Sequence, residues 1–307
     1  MRALDKKRHG CEKRIAVNKS WEGYMPEKIK VIIGPTAVGK TKYSIEQALK
    51  EGAEIISADS MQVYRQMDIG TAKPSSSEMH GVRHHLLDFI NPDEDWNLHL
   101  FLQKARELLD KGKKYIVVGG TGLYIKALTH NYQTPLPTSI IAENRLLEAL
   151  NTEGLASLYE RLKVVDEATA EKVSPNDKFR IIRALAAYES SGIPISKQRN
   201  MDKDYYERFE ITCLNMPRAV LYQRIEDRVD NMVSNGLLEE VSELLKRGYG
   251  ESLSSMQALG YKEMIICLKG LLPFEEAVAL IKKRTRNFAK RQLTWFRSFP
   301  AVKWLDL

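Results

Sequence analysis

The stretch "VIIGPTAVGKT", residues 31–41, decides the fold of this 307-residue chain. Its apolar residues lead into Gly34-x-x-x-x-Gly39-Lys40-Thr41, the pattern of a strand, a phosphate-binding loop and the start of a helix. Backbone N–H groups, the Lys40 ammonium and the helix N-terminus together form a site for an anion of diphosphate size. Thr41 adds a hydroxyl at the usual Mg²⁺-ligand position. Most proteins with this pattern bind a nucleoside triphosphate such as ATP, so the pattern by itself predicts a nucleotide-binding P-loop.

The alternation of strand and helix recurs along the chain. Apolar strands are predicted in "AEIISADS" (53–60) and "KKYIVVGGTGLYI" (113–125), and a helix that stops at Gly112 is predicted in "LHLFLQKARELLDKG" (98–112). This order favours an α/β fold, with a P-loop-type parallel sheet flanked by helices. Active residues are then expected at the carboxyl ends of the strands.

The pattern changes at "NYQTPLPTS" (131–139), where two prolines break the chain. Residues 140–200 predict helices only, and "RFEITCLNM" (208–216) is typical of a strand that returns to the sheet. We therefore assign 29–130 and 205–307 to a core, whose last third is helical, and 131–204 to an inserted all-helical domain. Residues 1–28 are basic and patternless, and we interpret them as a disordered or vector-derived extension.

The charge of the chain points to a polyanionic partner, because its net charge is +7 and its pI is about 9.1. From Ala277 to Leu305 there are eight lysines and arginines and no acidic residue. On a helical wheel, one face carries the apolar residues Ala277, Ile281, Phe288 and Trp295. The nearly opposite face carries the basic residues Lys283, Arg286, Lys290 and Arg297. We expect the first face to pack and the second to contact nucleic-acid phosphates.

The cysteines and the hydropathy favour a soluble, cytoplasmic protein. Cys11, Cys213 and Cys267 form no Cys-x-x-Cys pair, which is typical of reduced structural thiols. No apolar run approaches the roughly 18 residues that span a bilayer, and no secretory signal is visible, so no membrane partner is expected. We take the chain to be a monomer, although no motif reports its oligomeric state.

Candidate catalytic groups are few. The strand "YIVVGG" (115–120) ends in two glycines where a P-loop nucleotide hydrolase carries a Walker-B acid, which leaves Asp59 as the acidic strand end. Asp59 is either a base or metal-associated residue beside the anion, or a structural hydrogen-bond acceptor. His84 and His85 are adjacent and point apart, so core histidines are favoured over a metal site. Arg180 and Arg183 share a helix face, which is either solvated or in contact with phosphates.

The residues assembled so far resemble the tRNA dimethylallyltransferase family, also called tRNA isopentenyltransferase. The matching blocks, in the family's order, are "GPTAVGKT" (34–41), "ISADSMQVYRQMDIGTAKP" (56–74), "HHLLD" (84–88), "VVGGTGLYIKAL" (117–128), "NDKFRIIRAL" (176–185), "GYKEM" (260–264) and "AKRQLTWFR" (289–297). The resemblance covers nearly the whole chain after residue 28. It implies transfer of a dimethylallyl group from dimethylallyl diphosphate to N6 of adenosine 37 in tRNA, with release of diphosphate and with Mg²⁺ as the cofactor. It also implies that the inserted helical domain binds tRNA.

The resemblance implies roles for particular residues. The general base falls on Asp59, and Thr41 and Arg228 match the Mg²⁺ contact and an arginine that neutralises the leaving group. The implied diphosphate-binding residues are Gly34, Pro35, Thr36, Ala37, Val38, Gly39, Lys40 and Thr41. The residues expected to contact the anticodon stem-loop of tRNA are Asp59, Ser60, Met61, Gln62, Thr121, Phe179, Arg180, Ile181, Ile182, Arg183, Lys283, Arg286 and Lys290.

Some positions depart from the family pattern. Phe179 stands where the family often has Gln or Arg, and "VDEA" (165–168) stands where Asp-Pro is common. The region around Arg145 matches poorly, so that residue is an uncertain tRNA contact. Three alternatives stay open: an adenylate isopentenyltransferase acting on a free nucleotide, a P-loop small-molecule kinase, and a non-catalytic RNA-binding module. The inserted domain and the acid-free segment argue against the first, and the complete loop with Asp59 argues against the last.

Overall fold

A computed structural model describes residues 27–135, 138–198 and 204–307. The extension predicted for residues 1–28 and Cys11 therefore lie almost entirely outside the described residues. The first half of the fold consists of β1 (Ile29–Ile33), α1 (Lys40–Glu51), β2 (Glu54–Ser57), β3 (His84–His85), α2 (Leu98–Leu109), β4 (Tyr115–Gly119) and α3 (Gly122–Thr129). These bounds agree with the strands and helices that the sequence predicts there. The short strand β3 is an addition that no pattern indicated.

The second half begins with four helices in succession. They are α4 (Ile140–Val165), α5 (Glu167–Ala170), α6 (Lys178–Ser191) and α7 (Ile195–Gln198). A 3₁₀ helix (Asp204–Arg208) then leads to β5 (Phe209–Asn215), α8 (Arg218–Ser234), α9 (Leu237–Lys246), α10 (Tyr261–Leu268), α11 (Phe274–Arg297) and β6 (Lys303–Asp306). The last third of the chain is helical as predicted, except at its end, where β6 pairs in parallel with β5.

The six described strands form one parallel sheet in the order β3-β2-β4-β1-β5-β6. The connection from β1 runs toward β2, and the connection from the neighbouring strand β4 runs toward β5. The chain therefore changes direction between β1 and β4, and a crevice opens at the carboxyl ends of this strand pair. Buried apolar side chains cover both faces of the sheet, for example Phe101 and Phe296 on one and Ile45 and Ile225 on the other.

The helices α4 to α7 have a hydrophobic core of their own. Leu146, Leu158 and Leu162 of α4 pack against Ile181 and Leu185 of α6. Helix α4 is bent at Gly154, which has the non-helical angles φ 84° and ψ 166°. The N-terminus of α6 is capped by Asp177, which accepts a hydrogen bond from the backbone N–H of Arg180. This helical segment is therefore a separate packing unit between β4 and β5.

A further hydrophobic cluster packs the helices α8, α9, α10 and α11 against the loop that follows β2. Val63, Tyr64 and Met67 of this loop are buried against Tyr261 of α10 and Ile281 of α11. The loop thereby carries Asp59 and its neighbours over the carboxyl edge of the sheet. Within residues 27–135, 138–198 and 204–307, no helix combines the length and the apolarity that crossing a bilayer requires.

Candidate active site

A cavity of about 270 Å³ lies at the carboxyl ends of β1, β2 and β4. Its walls come from the loop between β1 and α1, the segment after β2, the end of β4, and the helices α8 and α11. The sequence predicted the site at this edge of the sheet. The observed position follows from the change of chain direction between β1 and β4.

The phosphate loop forms the floor of the cavity. Thr36, Ala37, Gly39, Lys40 and Thr41 line the cavity, whereas Gly34, Pro35 and Val38 do not. Gly39 has a φ of 103°, which L side chains rarely adopt, and it leads directly into α1. Lys40 and Thr41, at the start of α1, line the cavity, and the N–H groups of a first helical turn favour an anion.

The three predicted loop residues that do not line the cavity have other contacts in the structure, and their binding of diphosphate stays a prediction. Val38 is completely buried in the core, and its backbone N–H donates to the Pro35 carbonyl oxygen at 3.4 Å. Pro35 has no N–H, and the carbonyl oxygens of Gly34 and Pro35 accept hydrogen bonds from the Lys40 Nζ at 2.9 and 2.8 Å. These two residues orient Lys40.

Positive charge dominates the cavity. Lys40, Arg224 and Arg228 line it, and Asp59 is the one carboxylate among the lining residues that the structure describes. Burial lowers the pKa of Lys40 to about 8, and positive Arg228 adds to this shift while Asp59 opposes it. Burial also lowers the pKa of Arg228, and Asp59 again opposes the shift. Desolvated cations that lack enough negative partners favour an anionic ligand.

Asp59 follows β2 and lies across the cavity from the phosphate loop. Its Oδ1 accepts hydrogen bonds from the backbone N–H groups of Met61 and Gln62, at 2.8 and 3.2 Å. No residue of the described ranges donates to its Oδ2. The interpretation of Asp59 as a structural hydrogen-bond acceptor is therefore confirmed for Oδ1. Asp59 also lines the cavity, and its role there as a base or metal-associated residue stays a prediction.

A loop carbonyl joins Asp59's turn to Arg228. Arg228 Nη2 donates to the Thr71 carbonyl oxygen at 3.2 Å, and Gln62 Nε2 donates to the same oxygen at 3.1 Å. Glu240 fixes this loop by accepting from the backbone N–H groups of Asp68, Ile69 and Gly70. The hydroxyl of Tyr261 donates to the same carboxylate at 2.6 Å. The loop is thus tied at several points to α9 and α10.

Among the lining residues that the sequence analysis did not assign to the site are Arg224 and Gln292, together with His84 and Phe288, which it had placed in the core. Arg224 could have been found, because it lies one helical turn before Arg228 on the same face of α8. His84 is held by the Val82 carbonyl oxygen at 2.9 Å from its Nδ1, and burial lowers its pKa. His85 pairs instead with Glu54 at 2.6 Å.

Metal-binding clusters were not expected from these histidines. Among the residues that the structure describes, no three His, Cys, Asp or Glu side chains are grouped as a metal site would require. The cavity does contain hard oxygen donors, namely the Thr41 hydroxyl and the Asp59 carboxylate. These donors suit a Mg²⁺ ion that takes most of its ligands from a phosphate group and water.

The predicted packed face of α11 is partly wrong. Ala277 and Ile281 are buried as expected, but Phe288 and Trp295 are 39% and 38% exposed. The buried positions continue instead through Thr285, Ala289, Gln292 and Phe296. The buried face of α11 is therefore rotated relative to the predicted one. Phe288 lies in the cavity wall, and Trp295 lies against Gly122 of α3.

Carboxylates of other helices neutralise part of the positive charge of the acid-free segment 277–305. Lys282 pairs with Asp230 at 2.7 Å, Arg284 pairs with Glu263, and Arg286 pairs with Glu226. Arg286 is therefore already paired with a carboxylate of α8, and its contact with tRNA stays a prediction. Lys283 and Lys290 are exposed, and no carboxylate of the described ranges lies within ion-pair distance of either.

The structure separates the predicted RNA contacts on α6 into two groups. Phe179 is 78% exposed, and Arg180 and Arg183 are also on the surface. Ile181 and Ile182 are 0% and 8% exposed and belong to the core of the helical segment, so the prediction that they contact tRNA is wrong. Arg145 is exposed on α4, with Glu189 at 3.8 Å.

The remaining predicted tRNA contacts lie near the cavity. Asp59 and Gln62 line it, while Ser60 and Met61 belong to the turn that Asp59 caps. Thr121 stands at the N-terminus of α3, and its backbone N–H donates to the Ala58 carbonyl oxygen at 3.4 Å.

Comparisons with known proteins agree with this geometry. A family model described as IPP transferase matches residues 62–299, and one described as isopentenyl transferase matches residues 27–94. A tRNA dimethylallyltransferase of Desulforudis audaxviator is 49% identical, with 92% of this chain and 93% of the relative covered. One from Pelotomaculum thermopropionicum is 46% identical, with 92% and 91% covered.

Solved structures are similar as well. The tRNA isopentenylpyrophosphate transferase of Bacillus halodurans has a TM-score of 0.66 at 40% identity, covering 92% of this chain and 90% of that one. A eukaryotic dimethylallyltransferase acting on tRNA has a TM-score of 0.76 at 28% identity, with 92% and 74% covered.

Proposed function

The chain belongs to the tRNA dimethylallyltransferase family and transfers a prenyl group to tRNA, and from that premise we propose its donor, its acceptor atom and the roles of its residues. The donor is dimethylallyl diphosphate and the acceptor is the exocyclic N6 of adenosine 37, beside the anticodon. The observation that carries this proposal is the composition of the cavity, where three cations and a phosphate loop face one carboxylate.

The geometry accounts for each part of the reaction. The bond from N6 to C1 of the dimethylallyl group forms while the bond from C1 to the diphosphate oxygen breaks, and N6 loses one proton. Lys40, Arg228 and the loop N–H groups stabilise the negative charge that develops on the diphosphate. Asp59 lines the cavity, and its Oδ2, which accepts no hydrogen bond from the described residues, takes the proton from N6. Its Oδ1 stays bonded to the turn, which fixes the direction of the carboxylate.

Mg²⁺ fits this cavity as the cofactor. Thr41 and the diphosphate oxygens would hold the ion, which when bound neutralises charge on the leaving group. We also propose that the enzyme is a monomer and acts in the cytoplasm. A tRNA substrate is found there, and the free thiols of Cys213 and Cys267 suit a reducing compartment.

The tRNA-binding surface is proposed on two parts of the molecule. The helical segment 138–198 acts as the tRNA-binding domain through the exposed residues Phe179, Arg180 and Arg183. Helix α11 contributes Lys283 and Lys290, which are exposed beyond the cavity wall. Residues 60–62 and Thr121 line the path between these surfaces and Asp59. The adenine must leave its stack to reach the cavity, which a single-stranded anticodon loop permits.

One experiment tests the donor and the acceptor together. The enzyme is incubated with Mg²⁺ and labelled dimethylallyl diphosphate, with unmodified tRNA, with the same tRNA carrying guanosine at position 37, or with AMP. We expect label only in the first tRNA. Label in AMP would favour an adenylate isopentenyltransferase, and label in both tRNAs would remove adenosine 37 as the acceptor.

A further inference from the structure

Gln292 connects three separate parts of the site. Its Oε1 accepts a hydrogen bond from the backbone N–H of Thr36 at 2.8 Å, and its Nε2 donates to the Gly120 carbonyl oxygen at 2.9 Å. The side chain is 5% exposed. Because a flipped amide would oppose donor to donor and acceptor to acceptor, these two partners fix its orientation. Helix α11 is thereby joined to the phosphate loop and to the end of β4.

The corner that Gln292 fills is the one where the sequence lacks a Walker-B acid. β4 ends at Gly119 and is followed by Gly120. A Cβ on Gly120 would lie 2.4 Å from Gln292 Nε2 and 3.7 Å from Lys40 Nζ. Any side chain on Gly120 would therefore collide with Gln292. The amide of Gln292 occupies the place beside Lys40 that a strand-end side chain would otherwise take.

The Gln292 amide is uncharged, and this affects Lys40 because both side chains lie beside Gly120. The ionisable groups that face Lys40 are Arg228 and Asp59 in the cavity and Cys213 beneath the loop. Only Asp59 offers a full negative charge, and one of its oxygens is already committed to the turn. A carboxylate in the corner of Gln292 would pair with Lys40 and compete with an anionic ligand. A neutral amide holds the loop without doing so.

We infer that Gln292 is a positioning residue for the diphosphate: it fixes the phosphate loop to the end of β4 with a neutral group, and so keeps Lys40 available for the anion. Gln292 acts through Thr36 and Lys40. The inference rests on the proposed function, since it concerns the same diphosphate site. It assigns a role to a buried side chain whose sequence position, between Arg291 and Leu293, gives no sign of contact with the loop.

The first test compares two replacements of Gln292 by direct titration with inorganic diphosphate in the absence of tRNA. Gln292→Met keeps the length of the side chain but loses both hydrogen bonds, and we expect the diphosphate affinity to fall about tenfold, as for the loss of one typical hydrogen bond. Gln292→Glu keeps an acceptor for Thr36 but adds a charge beside Lys40, and we expect a larger fall, about thirtyfold or more. The affinity for tRNA should stay within threefold of wild type for both.

Thr285→Val is the matched control. Thr285 is buried on the same side of α11, and its hydroxyl bonds only to the Ile281 carbonyl oxygen of its own helix, at 2.7 Å. This variant should bind diphosphate as the wild type does. If Thr285→Val and Gln292→Met lose the same affinity, the effect comes from the packing of α11 and the inference is wrong.

A suppressor pair keeps the inference testable should Gln292→Met fold poorly. Gly120→Ala should lower the melting temperature, because its Cβ meets Gln292 Nε2. Gly120→Ala combined with Gln292→Ala removes that collision and should recover the melting temperature while the diphosphate affinity stays low. Recovery of both quantities would reduce Gln292 to a space-filling residue and overturn the inference.

The wild type separates this inference from the proposed function. A wild type that transfers label to tRNA and binds diphosphate, beside a Gln292→Met variant that binds it equally well, contradicts the inference alone. A wild type that neither binds diphosphate nor transfers label contradicts the proposed function and, with it, the inference.

Discussion

Arg228 in the cavity and Arg180 on α6 are the same type of residue in opposite surroundings. Arg228 is enclosed, donates to the Thr71 carbonyl oxygen and has its pKa lowered by burial. Arg180 is on the surface and pairs with Asp177, the N-cap residue of α6, at 3.4 Å. Arg228 is thus held in place before any ligand arrives, whereas Arg180 on α6 and the exposed Lys283 and Lys290 on α11 remain in contact with water.

This difference shows which charges select one ligand in one position and which attract any nearby phosphate. A desolvated cation whose position is fixed by neighbours stabilises a particular charge in a particular place. An exposed lysine or arginine attracts any nearby phosphate, and its contribution is screened by salt. The Glu240 carboxylate, which ties three backbone N–H groups of the loop carrying Thr71, shows how much structure is committed to the first kind of site.

The largest effect is expected at Asp59, whose oxygens have separate tasks. Asp59→Asn retains an acceptor for the N–H groups of Met61 and Gln62 but cannot take a proton. We expect the single-turnover rate of prenyl transfer to fall by about 10² to 10⁴-fold, with diphosphate affinity retained. Asp59→Ala should lose the rate and also destabilise the turn. A rate for Asp59→Asn within threefold of wild type would mean that the carboxylate only caps the turn.

Replacing Lys40 is expected to have the next largest effect, and on one ligand only. Lys40→Ala removes a charge that would bond the diphosphate directly, a loss of about 10- to 150-fold in affinity. Binding of tRNA should hardly change, since Lys40 lies on the cavity floor. Lys42→Ala is the matched control, because Lys42 is exposed in the same first turn of α1 and, two residues after Lys40, lies on nearly the opposite side of the helix. If Lys40→Ala weakens diphosphate binding and tRNA binding equally, the prediction that Lys40 serves the diphosphate site alone is wrong.

The outer face of α11 should respond through salt. Lys283→Gln with Lys290→Gln removes two exposed charges, and we expect the slope of log tRNA affinity against log salt to flatten by about 1.4 to 1.8. Dimethylallyl diphosphate affinity should be unchanged. Arg286→Gln sharpens the comparison, because Arg286 already pairs with Glu226 and should alter the slope less than Lys290→Gln does. An unchanged slope in the folded double variant would make this face a bare scaffold.

The smallest effect is expected for Arg180 on α6. Arg180→Gln should weaken tRNA binding by up to about fivefold, as is usual for an exposed charge worth at most about 1 kcal/mol. Lys172→Gln in the same helical segment is the control for a general loss of charge. If both variants weaken binding equally, the α6 surface acts only through its overall charge and Arg180 makes no specific contact.

Much of the site was visible in the sequence because its signals are local. The loop from Gly34 to Thr41 is a continuous motif, and Asp59 follows a predicted strand directly. Arg228 came only from the family resemblance, and its neighbour Arg224 was missed although helical spacing places both on one face. The burial of Ile181 and Ile182 was also within reach, since the same helical spacing that exposes Arg180 and Arg183 turns these two inward.

The sequence by itself determined the parallel α/β core, the phosphate loop and the helical segment between β4 and β5, because hydrophobic period and turn residues act over a few neighbours. Only the tertiary structure decided that α8 neutralises Arg286, that β6 completes the sheet beside β5, and that Phe288 faces the cavity. It also decided that Gln292 meets Thr36, a residue 256 positions away in the chain. Such contacts depend on how whole elements pack together, and no local pattern of residues encodes which distant groups will meet.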